Sequence, residues 1–394
     1  MSNWQELERK YFMQTVERLP VTLVKGKGAR VWDENGQEYL DFVGGWAVNS
    51  LGHCHPVVTE AVTEQVHTLI QTSNQFYTVP QVRLAELLVQ HSCMDKVFLC
   101  NSGAEANEGA IKLARRYGRL NLNGAYEVIT TMGSFHGRTL TMTSATGQSK
   151  FQQPYVPLPG GFINVEYNSI EAIRVAITKH TCAVMLEPLQ GEGGVNLPDD
   201  NYLAAVRALC DQNGILLVLD EIQTGLGRTG TLFAYEQYGV EPDIMTLAKG
   251  LASGLAIGAT LAKDRASVFT FGEHGSTFGG NPLACAAGYA NVKFIIDNDI
   301  AGNARRVGRY LTAGLERLKQ KFQFITVVRG CGLLMALEFN DDIAQSIVMT
   351  CLAKGLLVNR LKPNALRFMP PLIIGNSDVD EALVILDNAL SSRG

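Results

Sequence analysis

Long apolar runs are missing from this 394-residue chain: none approaches the ~18 residues that a membrane-spanning helix requires. The opening Met1-Ser-Asn-Trp-Gln-Glu-Leu-Glu-Arg-Lys10 also lacks the apolar core of a signal peptide, so a cytoplasmic location and no membrane partner are expected. Excess positive charge is missing too. With 34 Lys and Arg against 38 Asp and Glu the formal charge is -4, and no local basic block offers a polyanion a footprint. Nucleic acid is therefore not an expected partner. Cysteine is present but unorganised, since the eight residues at 54, 93, 100, 182, 210, 285, 331 and 351 contain no Cys-x-x-Cys pair and no framework spacing. They read as reduced, mostly buried thiols. Internal repeats and low-complexity segments are absent as well, and the length suits two domains or one large domain with a smaller attachment.

What is there has an order. From about residue 78 to about 290, helical patterns alternate with short β-rich runs, the arrangement of a largely parallel sheet covered by helices. Strands are expected at 97–99, 128–131, 183–186, 215–220, 244–247 and 259–262, with helices such as 104–117 and 200–213 between them. Pro80 opens another helix whose apolar stripe is Leu84, Ala85, Leu87 and Leu88. The ends differ. Residues 21–43 alternate as antiparallel strands do, with turns at Lys25-Gly-Lys-Gly28 and Glu34-Asn-Gly36. Beyond about 291 come a long helix, strands near 333–339 and 356–358, and a last helix started by Ser377-x-x-Asp380. The expected fold is α/β, with a large domain over 46–290 and a small α+β domain built from 1–45 and 291–394.

Three segments carry chemistry. In Asp243-Ile-Met-Thr-Leu-Ala-Lys249-Gly250 a short apolar run delivers one lysine into a glycine-rich turn, and a buried lysine is costly without a partner or a reaction. Asp220 ends another apolar run, and ligands of doubly wound sheets collect beyond such strand ends. In Asn101-Ser-Gly-Ala-Glu-Ala-Asn107 a strand passes through Ser102, Gly103 and Ala104 into a helix whose first N–H groups can bind an anion. Each has a plainer reading: Lys249 as a lysine that snorkels to the surface, Asp220 as an ion-paired or capping carboxylate, Ser102 as an ordinary N-cap. Together, lysine, carboxylate and anion cradle are the parts that a pyridoxal phosphate enzyme needs: an amine for the carbonyl, a carboxylate to keep the ring nitrogen protonated, a phosphate site.

Two other patterns compete. Gly225-Leu-Gly-Arg-Thr-Gly230 fits G-x-G-x-x-G by letter, which keeps a nicotinamide-dependent oxidoreductase in view, but four residues separate it from Asp220 and the helix start behind it is weak. A turn is the better reading. His53, Cys54 and His55 are adjacent in one extended stretch and point in opposing directions, so no metal is expected.

Seven blocks occur in order: Gly52-His-Cys-His-Pro56, Asn101-Ser-Gly-Ala-Glu-Ala-Asn-Glu108, Phe135-His-Gly-Arg-Thr139, Glu187-Pro-Leu-Gln-Gly-Glu-Gly-Gly194, Asp220-Glu-Ile-Gln-Thr-Gly225, Leu247-Ala-Lys-Gly250 and His274-Gly-Ser-Thr-Phe-Gly-Gly-Asn-Pro282. With them the chain resembles the class III pyridoxal-phosphate aminotransferases, most of all the branch acting on acetylornithine, from about Leu19 to the C-terminal helix. The resemblance implies fold type I, the aspartate aminotransferase-like architecture. It implies that Lys249 carries the cofactor, Asp220 pairs with the ring nitrogen, Gln223 reaches the ring hydroxyl, Phe135 and Ile222 sandwich the ring, and Ser102, Gly103 and Ala104 hold the phosphate. Thr277 would reach that phosphate, and Ser276 the substrate, from a second subunit of a homodimer. A scaffold protein that had kept the fold but lost the activity would show a broken lysine, aspartate or arginine, and none is broken.

Arg138 and Arg367 are the candidate carboxylate binders, because a guanidinium matches a carboxylate with two parallel hydrogen bonds. The resemblance implies that Arg138 takes the far carboxylate of both substrates, while Glu192 pairs with Arg367 for a terminal-amine donor and swings away for glutamate. The implied reaction moves the terminal amine of N-acetylornithine to 2-oxoglutarate in arginine biosynthesis; ornithine, 4-aminobutyrate, succinylornithine and carrier-linked lysine are the other donors in view. The chain departs from the family pattern in three places. Ala104 stands where threonine is usual, the run after Lys249 lacks the usual glycines and proline, and Trp46 replaces a smaller aliphatic residue beside the expected substrate channel.

Overall fold

The computed structural model describes residues 3–392; residues 1, 2, 393 and 394, the outermost positions of the expected small domain, lie outside the described residues. The alternation in 21–43 becomes three antiparallel strands, β1 (Leu23–Lys27), β2 (Arg30–Asp33) and β3 (Glu38–Asp41). Gly28 and Gly36 supply the left-handed φ of +58° and +82° that their turns require. Next come β4 (Lys96–Cys100), β5 (Glu127–Thr131), β6 (Phe162–Val165), β7 (Thr181–Leu186), β8 (Leu216–Asp220), β9 (Ile244–Leu247) and β10 (Gly258–Ala262). They form one sheet in the order β4-β10-β9-β8-β7-β5-β6. Every residue of β7, β8 and β9 is buried, as expected for strands covered by helices on both faces.

Strands β5 to β9 pair in parallel, but β10 is antiparallel to both β9 and β4. The ten residues between β9 and β10 hold only a short 3-10 turn, Lys249–Leu251, and a parallel return would need a longer crossover. The chain therefore doubles back directly at the lysine.

The C-terminal strands are β11 (Ile325–Cys331), β12 (Leu334–Phe339), β13 (Leu356–Leu357), β14 (Asn359–Lys362) and β15 (Ala365–Phe368). β13 pairs with β3, so the two ends of the chain share a sheet, while β11-β12-β15-β14 form a second antiparallel one. Helix Pro282–Asp297 runs through the point at which the sequence reading divides the chain. The last helix, Asn376–Ser391, starts earlier than expected: Gly375 is its N-cap, and Asp378, not Asp380, accepts from the Gly375 N–H at 2.9 Å. In helix Val79–Gln90 the expected stripe narrows to Leu84 and Leu88, the two buried positions. No helix among the described residues is long and apolar enough to cross a membrane. For function, the useful consequence is the exit end of the large sheet, where β4, β5, β7, β8 and β9 all release their chains into one crevice.

Candidate active site

β9 is buried along its length, and its exit places Lys249 in a cavity of about 410 Å³, a volume within the range of small-molecule sites. Among the described residues the ammonium has no ion pair and no hydrogen bond. Burial pushes it below the ordinary lysine range; Glu192 pulls it back up and Arg367 adds to the fall. A larger share of neutral, nucleophilic amine follows.

Asp220 closes β8 and faces the same cavity. Its Oδ2 accepts from Asn107 Nδ2 at 2.8 Å and lies 2.8 Å from His136 Nδ1; its Oδ1 accepts from the Ile222 N–H at 3.1 Å. Asn107 also donates to the His136 carbonyl at 2.7 Å and accepts from Thr246 Oγ1 at 2.7 Å. The carboxylate, only 3 % exposed, is thus fixed from three elements, as a buried charge must be. Sequence reasoning gave Asn107 and His136 no role. Asn107 lies one helical turn after Gly103, on the same face, and that spacing was the available signal. Behind them Glu187 accepts from the Phe135 and Gly191 N–H groups at 2.9 and 3.0 Å. Burial pushes its carboxyl up to about 7, against the pull of His136 and with a push from Asp220.

The cradle is also a cap. Ser102 Oγ accepts from the Glu105 N–H at 3.2 Å, so its N-cap role is real, while the start of helix Gly103–Asn121 lines the cavity with Ser102, Gly103 and Ala104. A Cβ on Gly103 would lie 2.9 Å from Ile222 Cδ1, and Ile222 forms one wall. Gly103→Ala should push Ile222 into the space of a flat ring and weaken cofactor binding about tenfold, with little change in apo-protein melting. Titration of apo-protein with pyridoxal phosphate checks this; an unchanged affinity would show that Ile222 does not bound the ring.

Arg367 on β15 is 1 % exposed. Its Nη1 donates to Glu192 Oε1 at 2.7 Å and to Gln223 Oε1 at 3.2 Å, and its Nε donates to Asn359 Oδ1 at 3.1 Å. Gln223 Nε2 in turn donates to Glu192 Oε1 at 3.2 Å. Burial alone would raise the Glu192 carboxyl; Arg367 and then Lys249 outweigh it and bring it down to about 2. Arg138 is different: it forms no ion pair among the described residues, and its guanidinium lies 4.3 Å from the Phe151 ring and 5.2 Å from that of Phe135. One arginine is committed to a carboxylate, and the other is free to take one.

Lys249, Asp220, Ser102, Gly103, Ala104, Phe135, Ile222, Gln223, Arg138 and Glu192 all line the cavity, with Arg367 bonded to two of them. Ser276 and Thr277 do not line it; they border a separate depression with Ser73, Asn74 and Gln75. Ser276 Oγ accepts from Asn101 Nδ2 at 3.0 Å within its own chain. Trp46 does not line it either. Gly44, Gly45, Trp46 and Ala47 have φ of 56°, 62°, 61° and 66°, a left-handed turn; Trp46 borders a separate depression that Arg18 and Arg360 also line, and Val48 lines the cavity. Trp46, expected beside the substrate channel, thus stands outside the lining of this cavity. His53 Nε2 lies 2.8 Å from Asp41 Oδ2, while the His55 ring packs on Phe294 at 4.7 Å, so the two histidines serve different neighbours.

Comparison with known proteins gives the family. Residues 11–390 match the family model described as aminotransferase class-III. An acetylornithine aminotransferase of Caldanaerobacter subterraneus subsp. tengcongensis is 51 % identical over 385 residues, covering 98 % of each chain. Among solved structures, the N-acetylornithine aminotransferase of Stenotrophomonas maltophilia K279a is 39 % identical with a TM-score of 0.86, covering 98 % of both chains. An ornithine aminotransferase of Toxoplasma gondii, with pyridoxal phosphate at partial occupancy in its active site, is 36 % identical with a TM-score of 0.94, over 99 % of this chain and 94 % of that one. The chain belongs to the class III aminotransferases.

Proposed function

We propose that this chain moves the terminal amino group of N-acetylornithine to 2-oxoglutarate with pyridoxal phosphate, giving N-acetylglutamate semialdehyde and glutamate, a step of arginine biosynthesis. The observation that carries the reading is the Glu192–Arg367 pair, closed at 2.7 Å beside an unpartnered Lys249.

The residues fit the cofactor. A helix start without lysine suits a phosphate, the buried Asp220 carboxylate, held among donors, would suit a protonated ring nitrogen, and Phe135 and Ile222 offer two apolar walls. When bound, pyridoxal phosphate supplies a carbonyl for the donor nitrogen and a ring that takes up the electron pair released at the donor carbon. Lys249 would hold the cofactor and, once displaced as a neutral amine, move the proton at the donor carbon. Asp220 would keep the ring nitrogen protonated, braced by His136 and Asn107.

Two unlike substrates must use one pocket. A terminal-amine donor has no carboxylate beside its reacting carbon, and Glu192 then satisfies Arg367; glutamate brings one, and Glu192 must yield. Arg138, unpaired at the mouth, would take the distal carboxylate of both. Removing one partner of such a pair strands the other in a buried place. Glu192→Ala should therefore slow the donor half-reaction roughly 10- to 100-fold while the glutamate half-reaction changes less than about threefold. Single-turnover kinetics of each half checks this, and equal losses would count against the switch.

We further propose a cytoplasmic homodimer with its site at the interface. Phe76, Tyr77, Phe271 and Phe278, close in sequence to the segments 73–75 and 275–277 that line the depression of Ser276 and Thr277, are well exposed. A second copy would cover them and bring Thr277 to the neighbouring phosphate and Ser276 to the neighbouring substrate. The deciding experiment is a ranking of kcat/KM across N-acetylornithine, ornithine, succinylornithine, 4-aminobutyrate and carrier-linked lysine with 2-oxoglutarate as acceptor. N-acetylornithine is expected to lead, and a clear lead for another donor would replace the substrate named here.

A further inference from the structure

The segment Gly225-Leu-Gly-Arg-Thr-Gly230 is no dinucleotide loop. A Cβ on Gly227 would lie 3.2 Å from Leu372, and one on Gly230 2.9 Å from Arg305, so these glycines make room for the C-terminal part of the chain. Between them stands Arg228, 2 % exposed and with no carboxylate partner among the described residues. Its Nη1 donates to the Leu333 carbonyl at 3.0 Å and to the Pro370 carbonyl at 2.6 Å, and its own carbonyl accepts from the Leu333 N–H at 3.0 Å. Nε and Nη2 are buried without an acceptor among the described residues. Burial pushes the guanidinium down to about 9.

What Arg228 grips matters more than its isolation. Pro370 follows Arg367 by three residues, just beyond the end of β15, and Leu333 leads into β12, where Ala336 stands opposite Arg367. At the other end of the same loop Gln223 Oε1 accepts from Arg367 Nη1. One loop, which begins at Asp220, therefore holds the Arg367 strand at two points: in front through Gln223 and behind through Arg228.

We propose that Arg228 is a positioning residue for Arg367, setting the height of its guanidinium against Asp220 and Lys249 and hence the recognition of the carboxylate beside the reacting carbon. Nη1 carries two N–H bonds, enough for one on each carbonyl, so a single nitrogen ties the chain entering β12 to the chain leaving β15 in one geometry. The inference rests on the reading of Arg367 as the binder of that carboxylate.

The test uses the holoenzyme and two variants, Arg228→Met and Arg228→Lys, with Arg367→Gln in parallel. Arg228→Met should lower kcat/KM of the glutamate half-reaction about tenfold or more, mainly through KM, and the N-acetylornithine half-reaction by less than about threefold. The visible band of the bound cofactor should be unchanged, and Arg228→Lys should fall between. Equal losses in both halves, or wild-type behaviour, would overturn the proposal and reduce Arg228 to a fold tether. If Arg228→Met does not fold, Arg228→Lys carries the same comparison. If Arg367→Gln separates the two halves and the Arg228 variants do not, this inference alone fails; if Arg367→Gln does not separate them, the reading of Arg367 fails and takes it along.

Discussion

Lys249→Ala should lower turnover by ~10⁴-fold or more and leave the protein without the yellow band of lysine-bound pyridoxal phosphate. Two separate roles would be lost at once, the covalent hold on the cofactor and the movement of the proton at the donor carbon. Among the described residues no other lysine lines the cavity, and the cations at or beside it, Arg138 and Arg367, are guanidinium groups that do not give up a proton at ordinary pH. Folding should survive, because the ammonium has no partner to miss and its removal relieves a desolvation cost. Steady-state rates with a melting curve as control check this. Activity within about tenfold of the parent would sink the assignment of Lys249.

Asp220→Asn comes second, with an expected loss of about 10²- to 10³-fold. The carboxylate accepts from both sides, at Oδ2 from Asn107 with His136 at the same distance, and at Oδ1 from Ile222. An amide in its place must turn a donor toward one of those donors and cannot balance a protonated ring nitrogen. The loss should lie in kcat of both half-reactions, unlike the one-sided effect expected at Glu192. A variant that keeps a third or more of the parent rate would mean that the ring nitrogen is not the group Asp220 serves.

The parts that one short segment writes down were readable in the sequence. Lys249 and Asp220 each end an apolar run, so their strands β9 and β8 and their shared crevice could be expected before any coordinates. Gly103 follows a strand and opens a helix, and that helix start lines the cavity. Residues 21–43 announce β1 to β3 through alternation and two glycine turns. What could not be read depends on distant segments meeting. Arg367, Asn359, Gln223 and Glu192 form one hydrogen-bonded group from three parts of the chain, and no local spacing announces the Asn359 contact. β10 runs against its neighbours because the chain turns back at Lys249 without a crossover helix, a matter of connection length more than composition. Trp46 stays out of the cavity lining, in a turn where four successive residues adopt left-handed φ, two of them not glycine. Arg228 was hidden inside a pattern of glycines whose letters suggest another chemistry.

A single mixing experiment bears most directly on the central claim that this cavity transfers amines through Lys249. Purified protein loaded with pyridoxal phosphate is mixed with N-acetylornithine alone while its absorption is followed, and 2-oxoglutarate is then added. The expected result is that the yellow band bleaches with the donor and returns with the acceptor, in the parent and not in Lys249→Ala. A band that no amine donor bleaches, or that bleaches equally in the lysine variant, would contradict it.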